Sequence, residues 1–270
     1  MHARITQARA PLLQAPPTQA GPPPEWVDEV LSGMEVEVLE CRGRWRRVRT
    51  FYRYEGWLTE ECLVCAPGWL ARWREGRLGL VWPALAPVQS RPGRGRSVYV
   101  LPRGAVVLLP EEGEGPWRRV RLAGGEEGFL PAGSLRPLPA GPPEPTAQVR
   151  EAVARSALDF LGCPYRWGGK TAFGIDCSGL ASLSYLVHGV VIYRDARIQP
   201  GFPIRPVPLE ALAAGDLLYF PGHMALYLGE GRYVHASGSA GAVVCSTLNP
   251  AGPGYRADLA EQITAVGRYL

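Results

Sequence analysis

An internal repeat in the first half of the chain constrains the fold more than any other feature. The string WRRVR occupies residues 45–49 and returns unchanged at 117–121. In each copy the tryptophan precedes a glycine by eleven residues, and that glycine begins the triplet 56–58 (GWL) in the first copy and 128–130 (GFL) in the second. Self-similarity at a fixed spacing predicts that one supersecondary unit is built twice.

Each copy alternates apolar and polar residues between glycine-containing turns, as at Val36 and Val38, over about 55 residues. The stretches RAPLLQAPP and LAPVQSRPG are matching candidates for a first strand. Short alternating strands predict a small five-stranded barrel or roll in each copy. Trp45 and Trp117 are expected to pack in the two cores, and the unmatched segment APGWLARWREGRLG is expected to be an insertion or a short helix.

The composition changes after the repeats, at the proline-rich segment LRPLPAGPPEPT. Proline cannot donate a ladder hydrogen bond and favours an extended chain, so this segment is expected to link two domains. The 270 residues are enough for two or three domains. The predicted boundaries are a first barrel at 1–66, a connector at 67–84, a second barrel at 85–138, a linker at 139–146 and a denser domain at 147–270.

The net charge of +4 comes from basic residues that are almost all arginine, and Lys170 is the single lysine. The arginines are scattered in short strings, and no nucleic-acid-binding motif accompanies them, so nucleic acid is not an expected partner. No apolar run is long enough for a membrane span, so no membrane is expected either. The first residues lack the pattern of a secretory signal, which favours a cytoplasmic location; the alternative is a secreted protein whose leader has been removed.

Chemistry is concentrated in the C-terminal domain around the stretch GIDCSGL, which holds Cys177. Thr146 is positioned to cap a first helix, and an apolar run with helical spacing begins at Cys177, so this cysteine is expected to start a second helix. A thiol at a helix N-terminus lies near free backbone N–H groups, which should lower its pKa. The residue could be a buried thiol, half of a disulfide, a metal ligand or a nucleophile.

The other cysteines weaken two of these alternatives. Six cysteines could form three disulfides, but a chain of this size without a visible secretory signal more often keeps them reduced. Cys62 and Cys65 form a lone CxxC pair, with only Cys41 nearby, whereas a structural zinc site needs four ligands. No metal or other cofactor is therefore expected.

A thiol nucleophile needs a base, and the stretch GHMALYLGEGRYVHAS supplies His223 and His235 on two strand-like runs. A two-residue loop would put the histidines on opposite faces of this hairpin. A three-residue loop at 229–231 would pair His223 with Ser237 and Ala225 with His235, which leaves both histidines on one face. We predict the second register, because Gly231 suits the left-handed end of such a loop. A helix-start cysteine with two histidines on one face of a hairpin is then the geometry of cysteine hydrolases.

The stretches YRWGGKTAFGIDCSGL and GHMALYLGEGRYVHAS resemble the NlpC family of papain-like cysteine peptidases. The resemblance implies that Cys177 is the nucleophile, His223 the base and acid, and His235 the group that orients His223. It also implies that Tyr165 lies near the oxyanion with the Cys177 backbone N–H, and that Asp176 and Ser178 flank the substrate. The family stretch that often reads Arg-Asp-Ser ends in Ala196 here, so that hydroxyl contact is missing.

The repeated barrels resemble bacterial SH3-type domains, which often accompany such peptidases. The implied architecture is two small all-β SH3-type barrels followed by an α+β papain-like domain. The implied substrate is a muropeptide, L-Ala-γ-D-Glu-diamino acid, cut after D-glutamate during murein recycling. A wall from the first barrel would meet the free ammonium of L-alanine, with Tyr54 and Glu29 as candidates beside Asp28 and Glu55.

Three alternatives remain at the level of the sequence. The protein could be a secreted hydrolase whose barrels bind polymeric wall, or a wall-binding scaffold with an inactive peptidase domain. It could also be a metal-dependent hydrolase that uses both histidines and a cysteine, although no third-ligand motif accompanies them.

Overall fold

Repeated β-sheets make up most of the N-terminal half of the protein. The structure is a computed structural model that describes residues 1–18, 21–110 and 115–270. The chain divides into an N-terminal unit, Met1–Leu138, and a C-terminal unit, Pro139–Leu270.

The first sheet has the strand order β3-β2-β6-β5-β4-β1-β7. Its strands, within the described residues, are β1 (His2–Ile5), β2 (Arg9–Leu13), β3 (Trp26–Leu31), β4 (Glu35–Arg42), β5 (Trp45–Thr50), β6 (Glu55–Thr59) and β7 (Leu63–Val64). A 3₁₀ turn, Glu60–Cys62, connects β6 to β7.

The second sheet repeats this topology, with the order β10-β9-β13-β12-β11-β8-β14. Its described strands are β8 (Leu78–Val81), β9 (Leu85–Gln89), β10 (Ser97–Pro102), β11 (Val106–Leu108), β12 (Trp117–Arg121), β13 (Glu127–Pro131) and β14 (Leu135–Pro137). A 3₁₀ turn, Ala132–Ser134, again precedes the last strand. Each strand occupies the position of its counterpart, so the sequence repeat is also a structural repeat.

The predicted five strands per copy and the connector at 67–84 need correction. In the described residues each sheet has seven strands. The two additional strands are short: one precedes the predicted first strand, and the other follows the 3₁₀ turn. In the second copy the early strand is β8, which pairs with β11 and β14. The helix α1 (Pro67–Glu75) has no counterpart among the described elements of the first copy, and it buries Leu70 and Trp73.

The two repeated tryptophans do not form the cores as predicted. Val48 and Val120 are fully buried, whereas Trp45 and Trp117 are half-buried. Side chains three residues apart on a strand point to opposite faces of the sheet, so only one of each pair can face the core. The valine does so in both copies.

The two sheets of the N-terminal unit meet at Gly33. The N–H of Val106 donates to the carbonyl of Ser32 at 2.8 Å. Gly33 has φ of 76°, and a Cβ there would collide with the backbone oxygen of Val106. Glycine therefore serves both the left-handed backbone and the close approach of the second sheet.

An antiparallel sheet with the order β17-β22-β18-β19-β20-β21 organises the C-terminal unit. Its strands are β17 (Ile204–Val207), β18 (Leu217–Phe220), β19 (His223–Gly229), β20 (Arg232–Ser237), β21 (Ala242–Thr247) and β22 (Ala265–Tyr269). A separate small ribbon joins β15 (Lys170–Thr171) to β16 (Gly174–Ile175).

Two helices of this unit pack against β19. They are α2 (Ala147–Ala157) and α3 (Cys177–Leu186), and a short α4 (Ala257–Ala260) follows the sheet. The Thr146 hydroxyl accepts a hydrogen bond from the N–H of Val149, as predicted for the cap of α2. The 3₁₀ turns Leu158–Phe160 and Leu209–Ala211 complete the unit. No helix among the described residues is long and apolar enough to cross a membrane.

The β19–β20 hairpin has the predicted register but a different turn. Leu226 pairs with Val234, and the same register carried along the strands sets Ala225 opposite His235 and His223 opposite Ser237. Gly229 pairs with Arg232, so the loop has two residues, Glu230 and Gly231, both with positive φ. A bulge between Tyr227 and Gly229 supplies the extra residue that the predicted three-residue loop would have contributed.

Core packing in the second sheet can be tested with two valines that differ in burial. Val88 on β9 is fully buried and Val98 on β10 is 39% exposed. Val88→Ala should lower the free energy of unfolding by about 2 kcal/mol, because it removes buried carbon and leaves a cavity. Val98→Ala should lower it by less than about 0.5 kcal/mol. Urea denaturation of the full chain measures both values, and equal losses would contradict the assigned core.

Candidate active site

Cys177 is the first residue of α3, as predicted, and it is buried. Asp176 caps the helix, and its Oδ1 accepts a hydrogen bond from the N–H of Gly179 at 2.5 Å. A Cβ at Gly179 would collide with the carbonyl oxygen of Gly169. The glycine therefore lets the preceding loop approach the start of the helix.

The expected low pKa of Cys177 is wrong in direction. Burial, and to a smaller degree the negative charge of Asp176, raise the pKa of the Cys177 thiol to about 11. The backbone N–H groups of Met224 and Ser178 act in the opposite direction, because each stabilises the thiolate. The helix N-terminus does favour the charged sulfur, but burial outweighs it, so the Cys177 thiol is neutral at neutral pH.

His223 and His235 lie side by side, as the predicted register requires. Nε2 of His223 and Nδ1 of His235 are 2.8 Å apart, and the two ring centroids are 5.0 Å apart at an interplanar angle of 72°. Burial lowers the pKa of His223 to about 4, helped by the positive charge of Arg256. Burial, with the charges of His223 and Arg256, lowers the pKa of His235 to about 3. Both rings are neutral at neutral pH.

The hydrogen bond between the rings leaves Nδ1 as the basic atom of His223. Within the described part of the chain that nitrogen forms no hydrogen bond, and the backbone N–H of Met224, the next residue, lies toward the Cys177 sulfur. Among the described residues, the Cys177 sulfur and the His223 imidazole form no hydrogen bond with each other. Contacts of this kind commonly tighten only when substrate binds.

Tyr165 lies at the same centre. Its N–H donates to the carbonyl of Gly241 at 2.8 Å, and its ring lies beside Gly238. Burial and the charges of Cys177 and Asp176 raise the pKa of Tyr165 to about 12, so the phenol keeps its proton and can donate it in a hydrogen bond. This is the chemistry that a group near an oxyanion needs.

Asp176 and Ser178 are buried, and both are hydrogen-bonded to Arg194, a partner that the sequence did not predict. Nη1 of Arg194 donates to Asp176 Oδ1 at 3.0 Å and to Ser178 Oγ at 2.7 Å. Nη2 donates to Asp176 Oδ2 at 3.0 Å, and that oxygen also accepts from the N–H of Gly168 at 2.8 Å. A carboxylate accepts about four hydrogen bonds, so Asp176 is saturated inside the unit. The contacts of Asp176 and Ser178 with substrate stay predictions.

A second residue missed in the sequence is Ser246 on β21. Its Oγ lies 3.1 Å from Nε2 of His235. Nothing in the string VVCSTL marks this serine, because only the pairing of β20 with β21 brings it to the histidine.

The predicted N-terminal contacts lie in the other unit. Glu29 is fully buried on β3 and forms an ion pair of 2.7 Å with Arg9. Tyr54 is half-buried, and its N–H donates to the hydroxyl of Thr50 at 3.0 Å. The hydroxyl of Tyr52 donates to the carboxylate of Asp28 at 2.6 Å. The role of Tyr54 and Glu29 toward the substrate stays a prediction.

All six cysteines lie in the described part of the chain and carry free thiols. Across residues 1–18, 21–110 and 115–270, no three histidine, cysteine, aspartate or glutamate side chains are grouped so that they could hold a metal ion. The side chains that lie at this centre are the Cys177 thiol, the histidine pair and the Tyr165 phenol.

Comparison with known proteins links this centre to a family. The sequence pattern of the NlpC/P60 family matches residues 162–260. Dipeptidyl-peptidase 6 of Lysinibacillus sphaericus is 40% identical over 248 residues, which span 90% of this chain and 92% of that protein. A gamma-D-glutamyl-L-lysine dipeptidyl-peptidase of Bacillus cereus is 28% identical over 258 residues, 90% of this chain and 74% of that protein.

A solved structure shares the fold. The crystal structure of an NlpC/P60 family protein from Bacillus cereus aligns over 100% of both chains with a TM-score of 0.80 and 24% identity. The alignment covers the N-terminal unit as well as the C-terminal unit.

The neutral thiol can be tested by alkylation. Because the pKa of Cys177 is raised to about 11, its reaction with iodoacetamide should quicken by about tenfold per pH unit between pH 8 and 10. Exposed Cys41 is the internal control, and mass spectrometry of tryptic peptides follows both sites. At pH 8, Cys177 should react more slowly than Cys41. Rapid labelling of Cys177 at pH 6, unchanged up to pH 8, would instead indicate a thiolate–imidazolium pair in the free enzyme.

The buried ion pair can be tested by its contribution to stability. Arg194→Met leaves Asp176 buried without its cation and should lower the free energy of unfolding by about 3–5 kcal/mol. Arg232→Met breaks an exposed pair of 3.6 Å with Glu230 in the same unit and should change it by less than about 1 kcal/mol. Thermal or urea denaturation measures both, and a small loss for Arg194→Met would contradict the central place given to this pair.

Proposed function

Because the chain belongs to the NlpC/P60 family of cysteine peptidases, we propose that it cleaves the bond between γ-D-glutamate and the diamino acid of a muropeptide with a free N-terminal L-alanine. The similarity to peptidoglycan peptidases supports a cell-wall peptidase activity. The observation that carries the proposal is the grouping of a helix-start thiol with a hydrogen-bonded histidine pair.

In the proposed mechanism Nδ1 of His223 takes the proton from the Cys177 sulfur when the substrate excludes water from the centre. The sulfur attacks the γ-carbonyl carbon, a C–S bond forms, and the carbonyl oxygen becomes an oxyanion. The N–H of Cys177 and the phenol of Tyr165 are suited to stabilise this charge, since both are donors at the centre.

The second half of the reaction uses the same base. His223, now protonated on both nitrogens, gives its proton to the nitrogen of the leaving diamino acid, and the C–N bond breaks. Water then attacks the thioester, with His223 again as the base. The C–S bond breaks, His223 returns the proton to the Cys177 sulfur, and L-Ala-γ-D-Glu leaves. His235 accepts the Nε2 proton of His223 in a hydrogen bond and so keeps the ring oriented throughout.

The names of the two relatives support a substrate with a free N-terminus, because a dipeptidyl-peptidase removes two residues from that end. L-Ala-γ-D-Glu is such a pair of residues. One of these relatives is named for the gamma-D-glutamyl-L-lysine bond, which makes L-lysine a diamino acid to test beside meso-diaminopimelate. A free muropeptide of this kind fits a cytoplasmic recycling role, which we propose for the protein.

We further propose SH3-type barrels for the two N-terminal sheets and a papain-like fold for the C-terminal unit. The supporting observations are the identical strand order of the two small sheets and the helix α3 packed on the sheet that carries both histidines. The proposed domains follow the predicted bounds, with β8 and α1 added to the second barrel.

The substrate can be tested with three peptides. Purified protein should release L-Ala-γ-D-Glu from L-Ala-γ-D-Glu-L-Lys or its diaminopimelate analogue, as measured by liquid chromatography with mass spectrometry. The N-acetylated peptide should be cleaved about 10–100-fold more slowly, because its charge-assisted contact of about 1.5–3 kcal/mol is lost. Cys177→Ala is the control for contaminating peptidases and should be inactive. Equal cleavage of the acetylated peptide, or solubilisation of intact sacculi, would favour the secreted hydrolase instead.

A further inference from the structure

A polar chain extends from the histidine pair to the neighbouring strand. Ser246 lies on β21, where Val244 pairs with His235 and Ser246 pairs with Tyr233. The serine is thus the diagonal neighbour of His235 on the same face of the sheet. Its Oγ is 3.1 Å from Nε2 of His235, and both side chains are buried. This hydrogen bond joins two buried polar groups, so removing either group leaves the other without its partner and destabilises the site.

The positions of the protons along these hydrogen bonds follow from the proposed role of His223 as the base. If Nδ1 of His223 is to accept the thiol proton, its own proton must lie on Nε2. That proton is donated to Nδ1 of His235, which must then be bare. A neutral imidazole carries one proton, so the proton of His235 lies on Nε2 and is donated to Ser246. Nδ1 of His235 therefore accepts the His223 proton, and Nε2 donates its own proton to the Ser246 hydroxyl.

The group that faces Nε2 of His235 is the neutral hydroxyl of Ser246 and not a carboxylate. His235 is 1% exposed, and burial lowers its pKa to about 3, so a charged form of this ring is unfavourable in the free enzyme. A neutral acceptor fixes the tautomer without drawing a proton onto the ring. Tyr233 packs against the same ring at a centroid distance of 5.2 Å, which restrains its plane, and its phenol lies near the Ser246 hydroxyl.

We propose that Ser246 is a positioning residue, which holds His235 in the tautomer protonated on Nε2 and thereby keeps Nδ1 of His223 free to accept the Cys177 proton. The proposal deepens the proposed function and rests on it for the identity of the base. Without the hydroxyl, the proton of His235 can move to Nδ1, where it opposes the Nε2 proton of His223 and forces that ring out of its productive tautomer.

The adjacent threonine offers a matched control. Thr247 points to the other face of β21, where its hydroxyl donates to the carbonyl of Gly231 at 3.1 Å and accepts from the N–H of Asn249 at 3.1 Å. It has no contact with either histidine among those that the structure describes. Thr247→Val therefore removes a hydroxyl that is as buried as that of Ser246 and lies one residue away. It leaves the hydrogen bonds of both histidines intact.

The kinetic test compares Ser246→Ala, Ser246→Thr and Thr247→Val on L-Ala-γ-D-Glu-L-Lys. Ser246→Ala should lower kcat about tenfold with KM unchanged within about twofold, as expected for the loss of one buried hydrogen bond. Ser246→Thr keeps a hydroxyl and should recover most of the rate, and Thr247→Val should keep full kcat. Full activity in Ser246→Ala, or an equal loss in Thr247→Val, would overturn the proposal.

A second measurement does not depend on the substrate. The chain has four histidines, so ¹⁵N-labelled His235 can be assigned by comparison with His235→Asn. Two-bond ¹⁵N–¹H spectra of the unmodified protein should show His235 protonated on Nε2, and Ser246→Ala should shift it toward the Nδ1 tautomer. If the peptide is not cleaved but the tautomer shifts, the proposed substrate fails and the positioning role stands. An unchanged tautomer in Ser246→Ala would contradict the positioning role whatever the activity.

Discussion

The ion pair between Asp176 and Arg194 is the interaction on which the described centre depends. A buried carboxylate and a buried guanidinium bind each other through two hydrogen bonds of 3.0 Å, and the carboxylate also caps α3. The same carboxylate accepts a hydrogen bond from the N–H of Gly168. One side chain therefore fixes both the loop that contains Gly168 and the first turn of the helix. Cys177 is the next residue, and its sulfur is positioned by that turn. Because burying either charge alone is costly, the arrangement tolerates the removal of neither partner.

Burial sets the protonation state of the centre. It raises the pKa of Cys177 and lowers those of both histidines, so every group that would move a proton is neutral before substrate arrives. In the proposed mechanism charge appears only as the thiol proton passes to His223. The N–H groups of Met224 and Ser178 lie toward the sulfur at that moment and require no rearrangement.

The sequence contained the local features of the site and lacked those that depend on packing. The repeat, the cap at Thr146, the helix start at Cys177 and the register of the hairpin follow from periodicity and turn residues, which act over a few positions. The contacts of Arg194 with Asp176 and Ser178, and that of Ser246 with His235, were missed because a loop and an adjacent strand bring these residues together. The pKa of Cys177 was predicted in the wrong direction because local sequence shows the helix N-terminus but not the depth of burial. β8 was missed because a four-residue strand before a turn has little periodicity of its own.

The central claim is that Cys177 forms a thioester with the γ-carbonyl of D-glutamate. The most direct test uses L-Ala-γ-D-Glu p-nitroanilide, whose good leaving group should make acylation faster than deacylation. We expect a burst of one nitroaniline per protein and, after acid quenching, an L-Ala-γ-D-Glu acyl group on the peptide that contains Cys177. Steady release of nitroaniline with no burst and an unmodified Cys177, or an acyl group on another residue, would contradict it.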